Sequence, residues 1–467
     1  MSITIDLKAP IDKESYGEAL NSKLCKPVSD LAQVLENAEL GRKTSAALSR
    51  LQRSSILRRT AQLVEEKSSL FVRLIAFESG KPVKQAKKEV NRCCNTLNLS
   101  AEEASRNQGE TIAFDTVSGL EDRQGYYDYH PLGIILAITP FNDPLNLIAH
   151  KLGPAIAAGN SIILKPSEKA PATALALCQC FYEAGLCENV IQLVMGGVDH
   201  VQALLLEKNI RMLSFTGGSK TAEILTRTAG LKKTLMDLGG NAPVIVDKYC
   251  ELDLAVRESV SGAFFAAGQN CIGVQRIYVH SSIFDKFASA FVECSQQIKL
   301  GDPMCESTDM GPMVDEASAI EAKRKVDSAL SLGATLLLGN KRDGRYYSPT
   351  VLSDVAENHE VYCEEVFAPI AILSSFNELD EVLARANRSE VMLHAAVFSN
   401  DLNRAYYLAN GIEAAGVMIN DSSDFRLDAM PFGGFKYGSL GREGVGFAMR
   451  EMSQTKVNCI RLISPKP

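Results

Sequence analysis

Between about residues 42 and 107, apolar side chains recur at three-to-four spacing, the period of helices that bury one face. The segment SRLQRSSILRRTAQLVEEKSSLFVRLIAFESGKP stops at Gly80-Lys81-Pro82, and VKQAKKEVNRCCNTLNLSAEEASRN continues as a second helical run. A strand-like region follows, TIAFDTVSGLEDRQGYYDYHPLGIILAITP, whose Gly and Asp positions suggest a hairpin. From 132 to about 245, short apolar runs (GIILAIT, SIILKP, VIQLVMG, RMLSFTGG, APVIVD) alternate with helical stretches (NLIAHKLGPAIAAG, APATALALCQCFYEAG, SKTAEILTRTAG). A second such series runs from about 255 to 420, with strands near VQRIYVH, ATLLLG, IAILSSF, HAAVFSN and AGVMIN. The alternation implies βαβ units and parallel sheets covered on both faces. The expected fold is α/β: two tandem doubly wound domains, one over 1–110 and 132–239, the other over 240–445. A β-rich arm (111–131) and a strand-like tail (446–467) complete it. Without a sheet of their own these would be open edges, so they are expected to pair between subunits of a homodimer or homotetramer.

The length of 467 residues agrees with two or three domains. A net charge of −7 with no dense Lys/Arg block argues against nucleic acid or an anionic membrane as main partner. The N-terminal MSITIDLKAPIDKESYGEAL lacks an apolar signal core, and no apolar run approaches a membrane span. Twelve cysteines follow no disulfide or zinc spacing, which suits free thiols in a reducing cytosol; a cytoplasmic location is expected. Six histidines show no metal-binding spacing, so no metal is expected.

Four places could carry chemistry. No G-x-G-x-x-G fingerprint occurs, but LSFTGGSKTAEIL sets Thr216-Gly217-Gly218-Ser219 between a strand and a helix. Backbone N–H groups there could hold a phosphate, although such a turn is also ordinary structure. SIILKPSEKAP puts Lys165 and Glu168 beyond a strand's carboxyl end, where they could bind sugar hydroxyls or form a solvated pair. FFAAGQNCIG sets Cys271 after flexible polar residues, an unusual setting for a structural cysteine and a suitable one for a nucleophile. LMDLGGNAP places Asp237 before a Gly-Gly pair, as either a turn residue or a base.

Taken together, the segments ESGKP, ITPFND, AAGNSIILKPSE, FTGG, DLGGNAP, FFAAGQNC, GDP…DMGP, EEVFAP and PFGGFKYGSLGREG resemble the aldehyde dehydrogenase superfamily, in its order, from about residue 40 to 460. The resemblance implies a Rossmann-like NAD-binding domain, a catalytic domain and an oligomerisation arm. Cys271 would be the nucleophile, and Asn142 with the Cys271 N–H would hold the oxyanion. Lys165, Ser167 and Glu168 would meet the adenosine ribose. Thr216, Gly217, Gly218 and Ser219 would face the pyrophosphate, with Thr139, Pro140, Leu238 and Gly239 lining the cofactor site. Glu365 and Phe367 would position the nicotinamide end. Glu168 favours NAD, because a carboxylate repels the extra phosphate of NADP; NADP stays possible.

The resemblance also needs a base that activates water, normally a glutamate. Here Asp237 holds that position, 34 residues before Cys271. It is one methylene, roughly 1.5 Å, shorter. Three outcomes follow: a relay through a second water, slow deacylation, or an acyl acceptor other than water such as coenzyme A. A catalytically silent scaffold and a reductase of acyl phosphates are alternatives on the same fold. The substrate-facing segments are most similar to the branch handling lactaldehyde, glyceraldehyde phosphate (without phosphorylation) and phosphonoacetaldehyde. Arg426 could meet an anionic tail or lie on the surface. Asp143, beside Asn142, and Asn270, before Cys271, disfavour phosphate and suit hydroxyls or an amine.

Overall fold

A computed structural model describes residues 30–463. The N-terminal segment assigned above to the first domain and the last four residues of the tail lie outside the described residues. Four helices come first: Leu31–Ala47, Arg50–Glu66, Ser68–Ser79 and Val83–Arg106. The first starts ahead of the expected position near 42. Its apolar stripe is weak, but the Asp30 carboxylate accepts the Gln33 N–H at 3.0 Å and caps it. The third ends at Gly80, whose φ of 79° is the left-handed conformation that closes a helix.

The arm contributes β1 (Glu110–Thr111) and β2 (Arg123–Pro131). Next come β3 (Ile134–Ile138), β4 (Ser161–Lys165), β5 (Ile191–Leu193), β6 (Ile210–Gly217) and β7 (Lys233–Leu238), a parallel sheet in the order β5-β4-β3-β6-β7. Ile134, Leu136 and Ile138 of β3 face one apolar cluster while Ile135 and Ala137 face another, as a strand covered on both sides requires. The chain winds outward from β3 through β4 and β5, then returns to β6 and β7 on the other side. The carboxyl ends of β3 and β6 therefore flank a topological switch point, where sheets of this kind bind ligands.

The sequence pattern gives no strand over β7, because Gly239-Gly240 reads as turn chemistry. Instead β7 pairs with β6 and sets Asp237 opposite Thr216. Asp237 is a strand residue, so the turn alternative falls. APVIVD, grouped above with the first series, forms β8 (Ala242–Val246) in the other sheet. With β9 (Val274–His280) and β10 (Thr335–Leu338), the short hairpin of β11 (Arg342–Asp343) and β12 (Tyr346–Tyr347), then β13 (Thr350–Ser353), β14 (Ile370–Phe376), β15 (His394–Phe398) and β16 (Gly416–Ile419), it completes the second unit. Its seven-stranded sheet runs β10-β13-β14-β9-β8-β15-β16 and is parallel except at β10. The expected pair of α/β domains is the observed architecture.

The arm and tail differ from expectation. The tail strand β17 (Ser453–Arg461) runs antiparallel to β2 from Ser453↔Pro131 to Arg461↔Arg123 within the same chain. Both segments are long enough to satisfy each other, so the sheet β1-β2-β17 forms without a second subunit. The outer edge of β17 has no strand partner among the described residues. Among them, too, no helix is long and apolar enough to cross a membrane.

Candidate active site

The helix Leu252–Phe264 leads into three successive residues with left-handed backbones, Ala266 (φ 50°), Ala267 (φ 55°) and Gly268 (φ 67°). Two alanines there store strain of about 1–3 kcal/mol each, which the surroundings must hold. Gln85, from the helix Val83–Arg106, accepts the Ala266 N–H at 3.0 Å. The Gln269 amide donates to the Ala266 carbonyl at 3.0 Å and accepts the Val314 N–H at 2.9 Å. A side chain at Gly268 would stand 2.1 Å from the Ala368 carbonyl. This loop delivers Cys271, half-buried, at its end. The Asn270 side chain accepts the Ile272 N–H at 3.3 Å, so it shapes the turn around the thiol.

Burial pushes the Cys271 thiol up, the charges of Asp237, Glu365 and Asp143 push the same way, and Arg426 opposes them. The resting group is a thiol that needs a base. Asp237 is 1% exposed, and neither carboxylate oxygen meets a hydrogen-bond partner among the described residues. Burial, with the charge of Glu443 adding, raises it to about 7, against the opposing charges of Arg426 and Lys151. Such a carboxyl exchanges protons near neutral pH. Asn142 is buried after β3, next to Asp143.

Beneath these groups lies an ionic network that sequence reasoning missed. Lys151 and Glu443, both buried, meet at 2.6 Å, and Thr216 Oγ1 donates to the same Glu443 oxygen at 3.4 Å. Arg426, expected either at a substrate tail or on the surface, has a 6% exposed side chain. It bonds the other Glu443 oxygen at 3.4 Å and lies 3.7 Å over the Phe432 ring. Burial would raise Glu443, but the cations Lys151 and Arg426 outweigh it and hold it at about 2. On the other side, the Asp143 carboxylate is paired with Lys81 and with Arg92, the latter at 3.2 Å. Lys81 also bonds Glu89 at 2.7 Å, and Glu89 accepts the Leu145 N–H at 2.8 Å at the start of the helix Asn146–Ala158. Arg92 reaches Asp428 at 2.8 Å, which also bonds His150 at 3.0 Å. Two signals were readable: adjacent titratable residues, His150-Lys151, inside an apolar helix, and Glu89 and Arg92 one turn apart.

A cleft of about 560 Å³ opens beside this centre, with Gly218, Ser219, Gly239, Glu365, Arg388 and Tyr437 among its walls. The helix Ser219–Ala229 starts there without a side-chain cap, leaving N–H groups for an anion. Glu365 accepts the Gly240 N–H at 3.3 Å, and a side chain at Gly239 would lie 2.0 Å from its carboxylate. Burial brings Glu365 to about 8, with the Gly240 N–H opposing and Asp237 adding to the rise. The Phe367 ring meets Phe141 edge-on at 5.9 Å. At the ends of β3 and β4, the Thr139 N–H bonds the Lys165 carbonyl at 3.2 Å, and Thr139 Oγ1 is buried without a partner among the described residues. Pro140 follows Thr139, Ser167 Oγ accepts the Lys169 N–H at 3.2 Å, and Lys165 and Glu168 lie 3.8 Å apart. Leu238, buried, ends β7. An uncapped helix start on the wall of a cleft of this volume fits an anionic cofactor.

The model described as the aldehyde dehydrogenase family matches residues 4–458. An aspartate-semialdehyde dehydrogenase of Pseudomonas canavaninivorans is 53% identical over 459 residues, covering 98% of this chain and 97% of its own. The crystal structure of an aldehyde dehydrogenase 21 from Physcomitrella patens, in complex with the reaction product succinate, superposes with a TM-score of 0.91 at 33% identity. It covers 94% of this chain and 92% of that one. A glyceraldehyde-3-phosphate dehydrogenase of Methanocaldococcus jannaschii complexed with NADP gives 0.88 at 38% identity, covering 94% of both chains.

Proposed function

The chain belongs to the aldehyde dehydrogenase family, NAD(P)-dependent enzymes of aldehyde oxidation, and from that premise we propose that it converts a small hydrophilic aldehyde to its carboxylic acid through a thioester on Cys271, with Asp237 as the base. The supporting observation is the Asp237 carboxyl, buried, without hydrogen-bond partners, poised at about 7 and electrostatically linked to Cys271.

Asp237 takes the Cys271 proton, and the thiolate adds to the aldehyde carbon. The Asn142 amide and the Cys271 N–H receive the oxyanion; donors of this kind contribute around 3 kcal/mol each. A dinucleotide held in the cleft would supply the acceptor for the aldehyde hydrogen as hydride. Asp237 gives the thiol proton up to solvent and, ionised again, accepts a proton from water as the water oxygen attacks the thioester; the carbon–sulfur bond breaks and the thiolate leaves. Aldehyde, water and oxidised dinucleotide thus give carboxylate, reduced dinucleotide and two protons.

Gly218, Ser219 and Thr216 would hold the pyrophosphate, Lys165 and Glu168 the adenosine ribose, and Glu365 and Phe367 the nicotinamide end. The Glu168 carboxylate favours NAD over NADP. A relative named for aspartate semialdehyde and a neighbour holding succinate both support a short tail that ends in carboxylate. Assembly into a homo-oligomer would use the open edge of β17, where Val457 and Ile460 are exposed.

The test compares single-turnover formation of reduced dinucleotide with the steady-state rate, for the native protein, Asp237→Glu and Asp237→Asn. A burst followed by slow turnover, with the slow phase removed in Asp237→Glu, supports a base that works from too far away. Unchanged steady-state turnover in Asp237→Asn overturns its role.

A further inference from the structure

The groups around the aldehyde end of the site carry both signs of charge and keep unused bonding capacity. Asp143 follows Asn142 directly and its side chain is 20% exposed; its partners Lys81 and Arg92 occupy part of a carboxylate's four acceptor positions. Arg92 has a 31% exposed side chain. Its Nε, like that of Arg426, is buried without a partner among the described residues. A buried guanidinium N–H with no acceptor costs stability unless something absent from the protein supplies one. Arg426 lies over Phe432 and bonds Glu443 through one nitrogen, and its Nε keeps a donor for a second carboxylate.

Charge balance narrows the choice of ligand. The cations Lys81, Arg92, Lys151 and Arg426 stand against the carboxylates Glu89, Asp143, Asp428 and Glu443, and Asp237 adds a further negative charge when ionised. A dianionic phosphate entering such a set brings uncompensated charge into a poorly hydrated space and meets the Asp143 carboxylate. A tail with one positive and one negative group adds no net charge. It also offers a partner to each kind of unused position.

We propose that the substrate is a short semialdehyde with an α-amino-carboxylate tail, its ammonium group bound by Asp143 and its carboxylate by Arg426 with Arg92. The assignment rests on the aldehyde-oxidising reading above and adds which side chain reads which pole. Asp143 is then the residue that separates amino acid semialdehydes from their des-amino counterparts. An aromatic or aliphatic residue in its place would not make that distinction.

Four aldehydes test the assignment in the full-length protein with NAD: L-aspartate semialdehyde, succinate semialdehyde (no amine), 3-aminopropanal (no carboxylate) and propanal (neither). The amino acid semialdehyde is expected to lead each single-pole analogue in kcat/KM by about tenfold or more, the scale of one charge-assisted hydrogen bond. In Asp143→Asn the lead over succinate semialdehyde should vanish while the lead over 3-aminopropanal stays, and Asp143→Glu should restore part of it. L-Aspartate should likewise protect Cys271 from iodoacetamide at lower concentration than succinate does, a binding readout in the unaltered protein. Equal or better use of succinate semialdehyde, or an unchanged ratio in a folded Asp143→Asn, overturns the assignment and leaves aldehyde oxidation standing. Should Asp143→Asn fail to fold, the order of the four aldehydes in the native protein decides. If none of the four reduces NAD, the aldehyde-oxidising reading fails with it.

Discussion

Gln85 accepts the Ala266 N–H at 3.0 Å, so a helix of the N-terminal layer holds the strained loop that presents Cys271. Its amide N–H also bonds the Asp309 carbonyl at 3.1 Å, which fixes the side chain from behind. Gln85→Ala should let the loop relax from its left-handed conformation and move the thiol. A displacement near 1 Å costs about a hundredfold in rate. Gln85→Glu keeps an acceptor for Ala266 and should retain more activity. Alkylation of Cys271 by iodoacetamide, measured beside kcat, checks that the effect lies at the thiol.

Asp237 should make activity and stability depend on pH in opposite directions. Its native carboxyl keeps a proton up to about 7, against an ordinary value of 3.8. With Asp237 as the proposed base, thioester hydrolysis needs the ionised form, so deacylation should accelerate as pH rises through 7 and then level off. Between the two values the native state binds more protons than the unfolded chain, so stability present at low pH is lost as pH climbs through 7. Asp237→Asn should therefore be more stable than the native protein at pH 8, on the order of a few kcal/mol, with the difference closing toward pH 4. Urea unfolding across that range measures it.

Lys151 and Glu443 form a buried pair at 2.6 Å, and removing one partner strands the other. Lys151→Met should cost about 3–5 kcal/mol of stability. Lys151 also holds Asp237 down, so its loss should move the pH–rate midpoint upward. Glu443→Gln removes a charge that raises Asp237 and should move the midpoint downward. Opposite shifts from the two variants would tie both charges to the same base.

Gly239 leaves room for Glu365, whose carboxylate would lie 2.0 Å from an added side chain. Gly239→Ala should displace Glu365 and weaken dinucleotide binding about tenfold or more, the loss expected when one charge-assisted contact is disturbed. Calorimetric titration with NAD measures this without turnover, and an unchanged affinity would separate Glu365 from the cofactor.

Alternation of apolar strands with helical stretches was enough to expose two α/β units, because strands such as IILAI and APVIV are buried on both faces. Cys271 was legible for the reverse reason, a thiol among polar and flexible residues. The strand β7 was not, since KTLMDL mixes polar and apolar positions and owes its place to pairing with β6. APVIV was grouped with the first run of strands, although the boundary drawn after residue 239 sets it in the second unit, whose sheet it joins. The ionic network escaped because its partners come from distant segments: Lys81 meets Asp143 and Arg92 meets Asp428. A charged residue's local surroundings say nothing of a partner that far away. The arm shows the same limit, since open edges in the sequence became each other's partners in the fold.

The pairing of β2 with β17 joins residues more than three hundred positions apart, and Lys151 waits 292 positions for Glu443. During synthesis the first sheet can form while both needs are unmet, for domains fold as units as the chain emerges. A nascent chain would then hold a lone cation in its core, and a base lacking the charge that tunes it. Cys271, Asn142 and Asp237 are all made before Glu365, Arg426 and Glu443, so an incomplete chain would hold the reacting groups without the later charges that tune them. The electrostatic setting of the base would be the last part of the site to be completed.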